Sequence, residues 1–304
     1  MIAGLLELLA DARRRRSGLL GFTCYDAESA AGVLTAAAGR PVVMLISSQL
    51  VTAPAGDLIV TGLRAIAERA SSPVCLQLDH AHDLDTIRAG CELGVGAVMA
   101  DGSRLHLEAN AAFVREARRI AAPRGVAVEA QLGAIEGNEE VAIEASSDDL
   151  TDAELAVRFV SEAEPDCLGV AAGNVHGIYL DEPRLDLARI RAITSRVGLP
   201  LVLHGGSGLD SATIHSAIAA GIAKVNLNTE LRQAYLGRTE RELPVALDGA
   251  RLLALHTKQM KAVESAAAER FAIVEAPVWS RLERPSAVGG LPRRASAGLS
   301  RGAA

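Results

Sequence analysis

From Leu19 to Glu230 the chain alternates between short apolar runs and helix-periodic stretches, and few folds accept that pattern. Leu19–Cys24, Pro41–Ser47, Val74–Asp79, Ala97–Ala100, Val126–Gln131, Cys167–Ala171, Leu201–Leu203 and Lys224–Leu227 read as strands, each leading into helical sequence. Runs this short and this apolar suit strands covered on both faces, as in a parallel sheet. About eight such units in 304 residues predict an α/β fold, a closed (β/α)8 TIM barrel with an extra N-terminal helix and C-terminal helices. An open doubly wound sheet is the structural alternative, because periodicity does not report closure. The barrel is expected over 1–276. From Pro277 to Ala304 the sequence turns to Pro, Gly, Arg, Ser and Ala without period, and a poorly ordered tail is expected there.

Composition removes several function classes. A formal net charge of −6 with no concentrated basic face argues against a nucleic-acid partner. Arg13 to Arg16 form the one basic cluster, and they end a helical pattern where cations suit the helix dipole. No run has the length of a membrane span. The apolar start Met1–Ala10 contains Glu7 and precedes its arginines, the reverse of a secretory signal's order, so a cytoplasmic location is expected. Cys24, Cys75, Cys91 and Cys167 are widely spaced without a CxxC pair and read as reduced core thiols.

Barrel active sites form where strands end, so the strand C-termini carry the functional reading. The third ends in Asp79-His80, the sixth in Gly173-Asn174-Val175-His176-Gly177, and the seventh in His204-Gly205-Gly206-Ser207-Gly208. Three histidines at three strand ends make the ligand set of a zinc site that keeps an open position. Asp79 is placed to support a ligand or to carry a proton. His82, His106, His215 and His256 fall on helices or loops and read as ordinary. The eighth strand ends in Asn226-Leu227-Asn228-Thr229. With Gly205, Gly206 and Ser207, the residues Asn226, Asn228 and Thr229 form a candidate phosphate cradle beside a helix N-terminus. The loop from Gly133 to Glu140 is a candidate lid carrying a base, or simply a solvated acidic loop.

The strings Leu78-Asp79-His80, Gly173-Asn174-Val175-His176-Gly177, His204-Gly205-Gly206-Ser207-Gly208 and Lys224-Val225-Asn226-Leu227-Asn228-Thr229-Glu230-Leu231 resemble those of the class II, metal-dependent ketose-bisphosphate aldolases, which include the fructose- and tagatose-bisphosphate enzymes. The resemblance implies one catalytic Zn2+ on His80, His176 and His204, with Asp79 handling the proton on the substrate's C4 oxygen. It implies Glu139 as the base at C3, and a glycerone-phosphate half on Gly177, Gly205, Gly206, Ser207 and Asn226 to Thr229. A monovalent cation (Na+ or K+) near the phosphate and a homo-oligomer are also implied. Departures from the pattern fall at Thr23, where asparagine is usual, at Gln77, at Gln131 in place of a glutamate tied to an alternate metal position, and at Ala254 in place of an arginine for the distal phosphate. Asp101 would keep another part of that alternate position.

The implied function is a lyase that makes or cleaves a C–C bond between glycerone phosphate and an aldehyde through a zinc-stabilised enediolate. Two other classes remain open at this point: a zinc hydrolase with Asp79 as base, and a sugar-phosphate-binding barrel that has lost turnover. Lys224 shares a strand face with Asn226, which leaves a Schiff-base mechanism as a further alternative.

Overall fold

The structure, a computed structural model, describes residues 1–135, 150–177, 179 and 183–275. Helix α1 (Leu5–Arg15) precedes β1 (Leu19–Thr23), and α2 (Ala27–Ala37) leads to β2 (Val42–Ser47). Two helices, α3 (Ser48–Thr52) and α4 (Gly56–Glu68), then lead to β3 (Val74–Ala81). The alternation continues through α5 (Leu84–Glu92), β4 (Ala97–Ala100), α6 (Leu107–Ala121), β5 (Ala127–Leu132), α7 (Ala153–Ala163), β6 (Cys167–Val170), α8 (Leu187–Val197), β7 (Leu201–Leu203), α9 (Ser211–Ala220) and β8 (Ile222–Leu227). Helices α10 (Thr229–Leu247) and α11 (Leu252–Glu275) complete the described chain. The eight strands pair in parallel and in sequence order, with β8 returning to β1, so the sheet is a closed barrel rather than the open alternative. No helix among the described residues is long and apolar enough to cross a membrane.

Local sequence explains the helix starts. Asp26, Asp83, Asp152, Asp186 and Asp210 each accept from a backbone N–H in the first turn of the next helix, satisfying donors that the helix itself leaves unpaired. His106 caps α6 in the same way, so it serves the fold as the sequence suggested.

Alternation along the strands divides the core in two. Val42, Met44 and Ile46 of β2 face the helical shell, while Val43 and Leu45 face the barrel axis. The floor of the barrel is closed by α1, whose Leu5, Leu8 and Leu9 pack on Leu19, Val43, Leu45, Cys75 and Val202. Burying those three leucines contributes roughly 1.5–3 kcal/mol each, enough to hold the extra helix as a plug. With its N-terminal end stoppered, the barrel is open only where the strands end.

Above the plug the interior turns polar. Gln77, Glu129 and Lys224 are fully buried at strand positions that point inward. Each finds a partner: Lys224 Nζ donates to Gln77 Oε1 and Glu129 Oε2, both at 2.6 Å, and Gln77 Nε2 donates to Glu129 Oε2 at 2.9 Å. The four cysteines are free and buried, and burial pushes the Cys75 thiol up to about 12, so a nucleophilic thiol there is disfavoured. The tail expected from Pro277 onward lies outside the described residues.

Candidate active site

Strand β3 is the first to deliver chemistry to the open end. Its pairing with β4 runs in register to Leu78, breaks, and resumes at Ala81. In that irregularity His80 takes φ +45°, a left-handed backbone that a histidine enters only at a cost. The bulge re-aims the side chain. As a result Nε2 of His80 comes to 3.1 Å from Nδ1 of His204, which stands just beyond β7. His176, beyond β6, closes the group: one nitrogen of each of the three rings lies within 4.8 Å of the others. Two nitrogens bound at 2.0–2.1 Å to one tetrahedral ion sit about 3.3 Å apart, which the His80–His204 pair nearly meets. The residues present therefore fit a metal.

The donor chemistry agrees with the distances. Nδ1 of His80 meets Asp101 Oδ2 at 2.6 Å, and Nε2 of His204 meets Glu129 Oε1 at 2.8 Å. Each carboxylate takes the proton of one ring nitrogen and leaves the other nitrogen's lone pair facing the cluster. Burial would raise both acids, but His80 outweighs it at Asp101, and Lys224 with His204 outweighs it at Glu129; both are held below the ordinary carboxylate range. Burial, reinforced by the charges of His80 and His204, lowers His176 well below the usual imidazole value. A neutral ring is the form that binds a metal.

Asp79, Gln131 and Asn226 surround the triad with acceptors that lack partners. Asp79 Oδ1, Gln131 Oε1 and Asn226 Oδ1 are buried and accept no hydrogen bond from the protein. Such atoms are costly unless something else satisfies them. Gln131 owes its place to a glycine: a Cβ on Gly169 would stand 2.1 Å from Gln131 Oε1. The triad opens onto a cavity of about 550 Å3 whose lining includes Asp79, His80, His82, Asp101, Gln131 and His176. Tyr25, Arg232, Ser103 and Arg104 also line it.

The glycine loop after β7 packs more tightly than its sequence suggests. Gly205 has φ +62°, and a Cβ there would sit 2.0 Å from the Val175 carbonyl oxygen, so no other residue fits. Asn174 Nδ2 donates to the His204 carbonyl at 3.0 Å, and the Tyr179 hydroxyl donates to that of Gly205 at 2.9 Å. The N–H of Gly206 is spent on the Asn226 carbonyl, and the N–H of Asn228 on Ser207 Oγ. Two of the expected cradle donors thus hold the loop to β8. Asn228 caps α10 through its backbone while its side chain bonds the Tyr25 hydroxyl, and Thr229 is the first residue of that helix. Gly177 is buried at φ +98° next to His176.

Lys224 is not placed as a Schiff-base nucleophile. Burial would lower its ammonium, but the charge of Glu129 overcomes this and holds it above the ordinary lysine value, protonated. Glu139 lies outside the described residues. Sequence reasoning missed the parts played by Glu129 and Lys224, although a charged residue inside an apolar strand is a signal that a buried partner exists.

Comparison with known proteins agrees with this geometry. A family model described as fructose-bisphosphate aldolase class-II matches residues 3–276. A 6-phospho-5-dehydro-2-deoxy-D-gluconate aldolase from Halalkalibacterium halodurans is 36% identical over 239 residues, covering 77% of this chain and 82% of the relative. A sulfofructosephosphate aldolase from Alkalicoccus urumqiensis is 32% identical over 231 residues, covering 75% and 80%. The crystal structure of the YdjI aldolase from Escherichia coli K12 superposes with a TM-score of 0.80 at 30% identity, covering 91% of this chain and 98% of that one.

Proposed function

The chain belongs to the class II fructose-bisphosphate aldolase family, and on that premise we propose that it is a zinc-dependent aldehyde-lyase joining glycerone phosphate to an aldehyde, or cleaving the product. The observation that carries the reading is the meeting of three imidazoles, two of them backed by carboxylates, at the head of a polar cavity. His80, His176 and His204 would hold the ion. When bound, it supplies a Lewis acid for the negative charge that grows on the ketone oxygen as a carbon–hydrogen or carbon–carbon bond breaks.

The remaining work falls to the chain's own groups. Asp101 and Glu129 keep the His80 and His204 rings in one tautomer and one orientation. Asp79 lines the cavity with an oxygen that no protein donor satisfies, which suits it to hold and return the proton of the C4 hydroxyl. Glu139 is the proposed base at C3. The phosphate of the three-carbon half is assigned to Gly177, Gly205, Gly206, Ser207, Asn226, Asn228 and Thr229, with a monovalent cation beside it. A homo-oligomer working in the cytoplasm completes the proposal on family likeness.

Proton exchange tests it. Zinc-loaded protein given glycerone phosphate in deuterated water, without any aldehyde, is expected to exchange one carbon-bound hydrogen, and a chelator is expected to stop the exchange. A hydrolase or a barrel that only binds sugar phosphates would leave the carbon-bound hydrogens in place, and that result would end the aldolase reading.

A further inference from the structure

We propose that Arg270, on the C-terminal helix α11, positions the phosphate cradle by pairing with Glu230 and gripping the end of the glycine loop. The inference rests on the aldolase reading, which assigns the phosphate to that cradle, and adds to it a positioning pair that the sequence did not point to.

The loop after β7 is anchored at both ends. At its front, Asn174 Nδ2 donates to the His204 carbonyl and the Tyr179 hydroxyl to that of Gly205. At its back, Arg270 Nη1 donates to the Leu209 carbonyl at 2.7 Å, and Nη2 pairs with Glu230 Oε2 in the first turn of α10. One guanidinium therefore ties the end of the glycine loop to the helix that follows β8. Between the anchors, the Ser207 N–H meets no acceptor among the described residues, whereas that of Gly206 is spent on the Asn226 carbonyl. The first turn of α10 likewise leaves backbone N–H groups that the helix does not satisfy. The amides open to an anion thus lie on the two segments that Arg270 links.

The pair is enclosed rather than superficial. Each side chain is only 17% exposed, so water and salt screen it less than they screen a surface pair. Glu230 Oε1 is buried without a donor, which leaves the guanidinium as the main support of that carboxylate. Burial raises the Glu230 carboxyl, with Arg270 and the Gly208 amide opposing it. Removing one partner leaves the other uncompensated. The helix itself does not need Arg270 to dock: Phe271 is buried against Phe22, with ring centroids 5.3 Å apart, and His215 Nε2 meets the Ile273 carbonyl at 2.6 Å. The metal end is held separately, by Glu129 on the His204 ring and Asn174 on its carbonyl. Loss of Arg270 should therefore loosen the phosphate end of the site and leave the zinc end in place.

Two readouts on the zinc-loaded protein decide the matter: calorimetric binding of glycerol 3-phosphate, an unreactive analogue, and the kinetics of deuterium exchange into glycerone phosphate. Arg270→Met is expected to raise both the Kd of the first and the KM of the second about tenfold, the scale of one charge-assisted contact. Its exchange kcat and zinc content should be nearly held. Glu230→Gln should weaken binding in the same direction, and combining the two should add little beyond the larger single loss. Arg270→Lys, which keeps a charge but not the two-armed grip, should fall between; with Glu230→Gln it decides the question if Arg270→Met does not fold. Unchanged affinity in these variants overturns the inference, as does a loss of kcat and zinc in step with affinity, which would mark general damage. Full affinity in Glu230→Gln beside a loss in Arg270→Met would make the guanidinium a direct ligand and overturn it too. Absence of exchange by the unsubstituted protein ends the aldolase reading alone, because binding of glycerol 3-phosphate needs no turnover; absence of that binding ends this inference.

Discussion

His204→Ala is expected to lower metal-dependent deuterium exchange into glycerone phosphate by on the order of a thousandfold, the several kcal/mol that a Lewis acid contributes to a developing oxyanion. The barrel should remain folded, because His204 stands beyond the end of β7 rather than within it. The same substitution also removes the neighbour that Glu129 meets at 2.8 Å, so bound zinc should fall below one ion per chain. Asp101→Asn offers a graded companion. It keeps a hydrogen bond to His80 but not the charge, and a loss of 10–100-fold in metal affinity is expected for a change of this kind. Metal content and exchange rate, measured on the same samples, check both. Full exchange by His204→Ala would remove the triad from the chemistry.

Lys224→Met is expected to cost about 3–5 kcal/mol of stability, the penalty for leaving a buried carboxylate without its cation. Glu129 is fully buried and keeps only Gln77, His204 and a long contact from Cys167 once the ammonium is gone. Adding Glu129→Gln should recover a large part of that loss, since the pair is then removed as a unit. Urea unfolding of metal-free protein measures both. The pH dependence gives an independent sign. Glu129 is depressed in the native state, so its contribution is present above its unfolded value of about 4.3 and is lost as pH falls below it. Lys224 is raised, so its contribution is present below about 10.4 and is lost as pH climbs past it. In Lys224→Met the isolated carboxyl should instead prefer its proton, so that variant gains stability as pH drops toward 5. An unchanged pH profile would mean that the pair is not the source of the effect.

Much of this was legible in the sequence, for a physical reason. A parallel strand buried on both faces is apolar until it ends, so the histidine directly after Leu203 marks a strand terminus, and a barrel gathers its termini at one face. His80 was expected at the end of its strand and lies instead one residue inside β3, where the register shifts. What escaped was whatever depends on contacts across the barrel. The left-handed backbone at His80 follows from the β3–β4 register, which no single segment reveals. Asp101, placed by resemblance at an alternate metal position, proves to be the partner of His80, twenty-one residues away in sequence. Glu129 and Lys224 lie ninety-five residues apart, and only closure of the sheet brings them together. The C-terminal helices were expected without bounds; α11 runs from Leu252 to Glu275 and packs on α2, where Gly32 lies against Met260 and Val263.

X-ray absorption at the zinc edge of the loaded protein examines the triad most directly. Three imidazole nitrogens at about 2.0–2.1 Å, joined by one light oxygen scatterer, are expected, with one imidazole contribution lost in His176→Ala. A shell dominated by sulfur, or by six oxygens and no imidazole, would place the ion elsewhere and contradict the account.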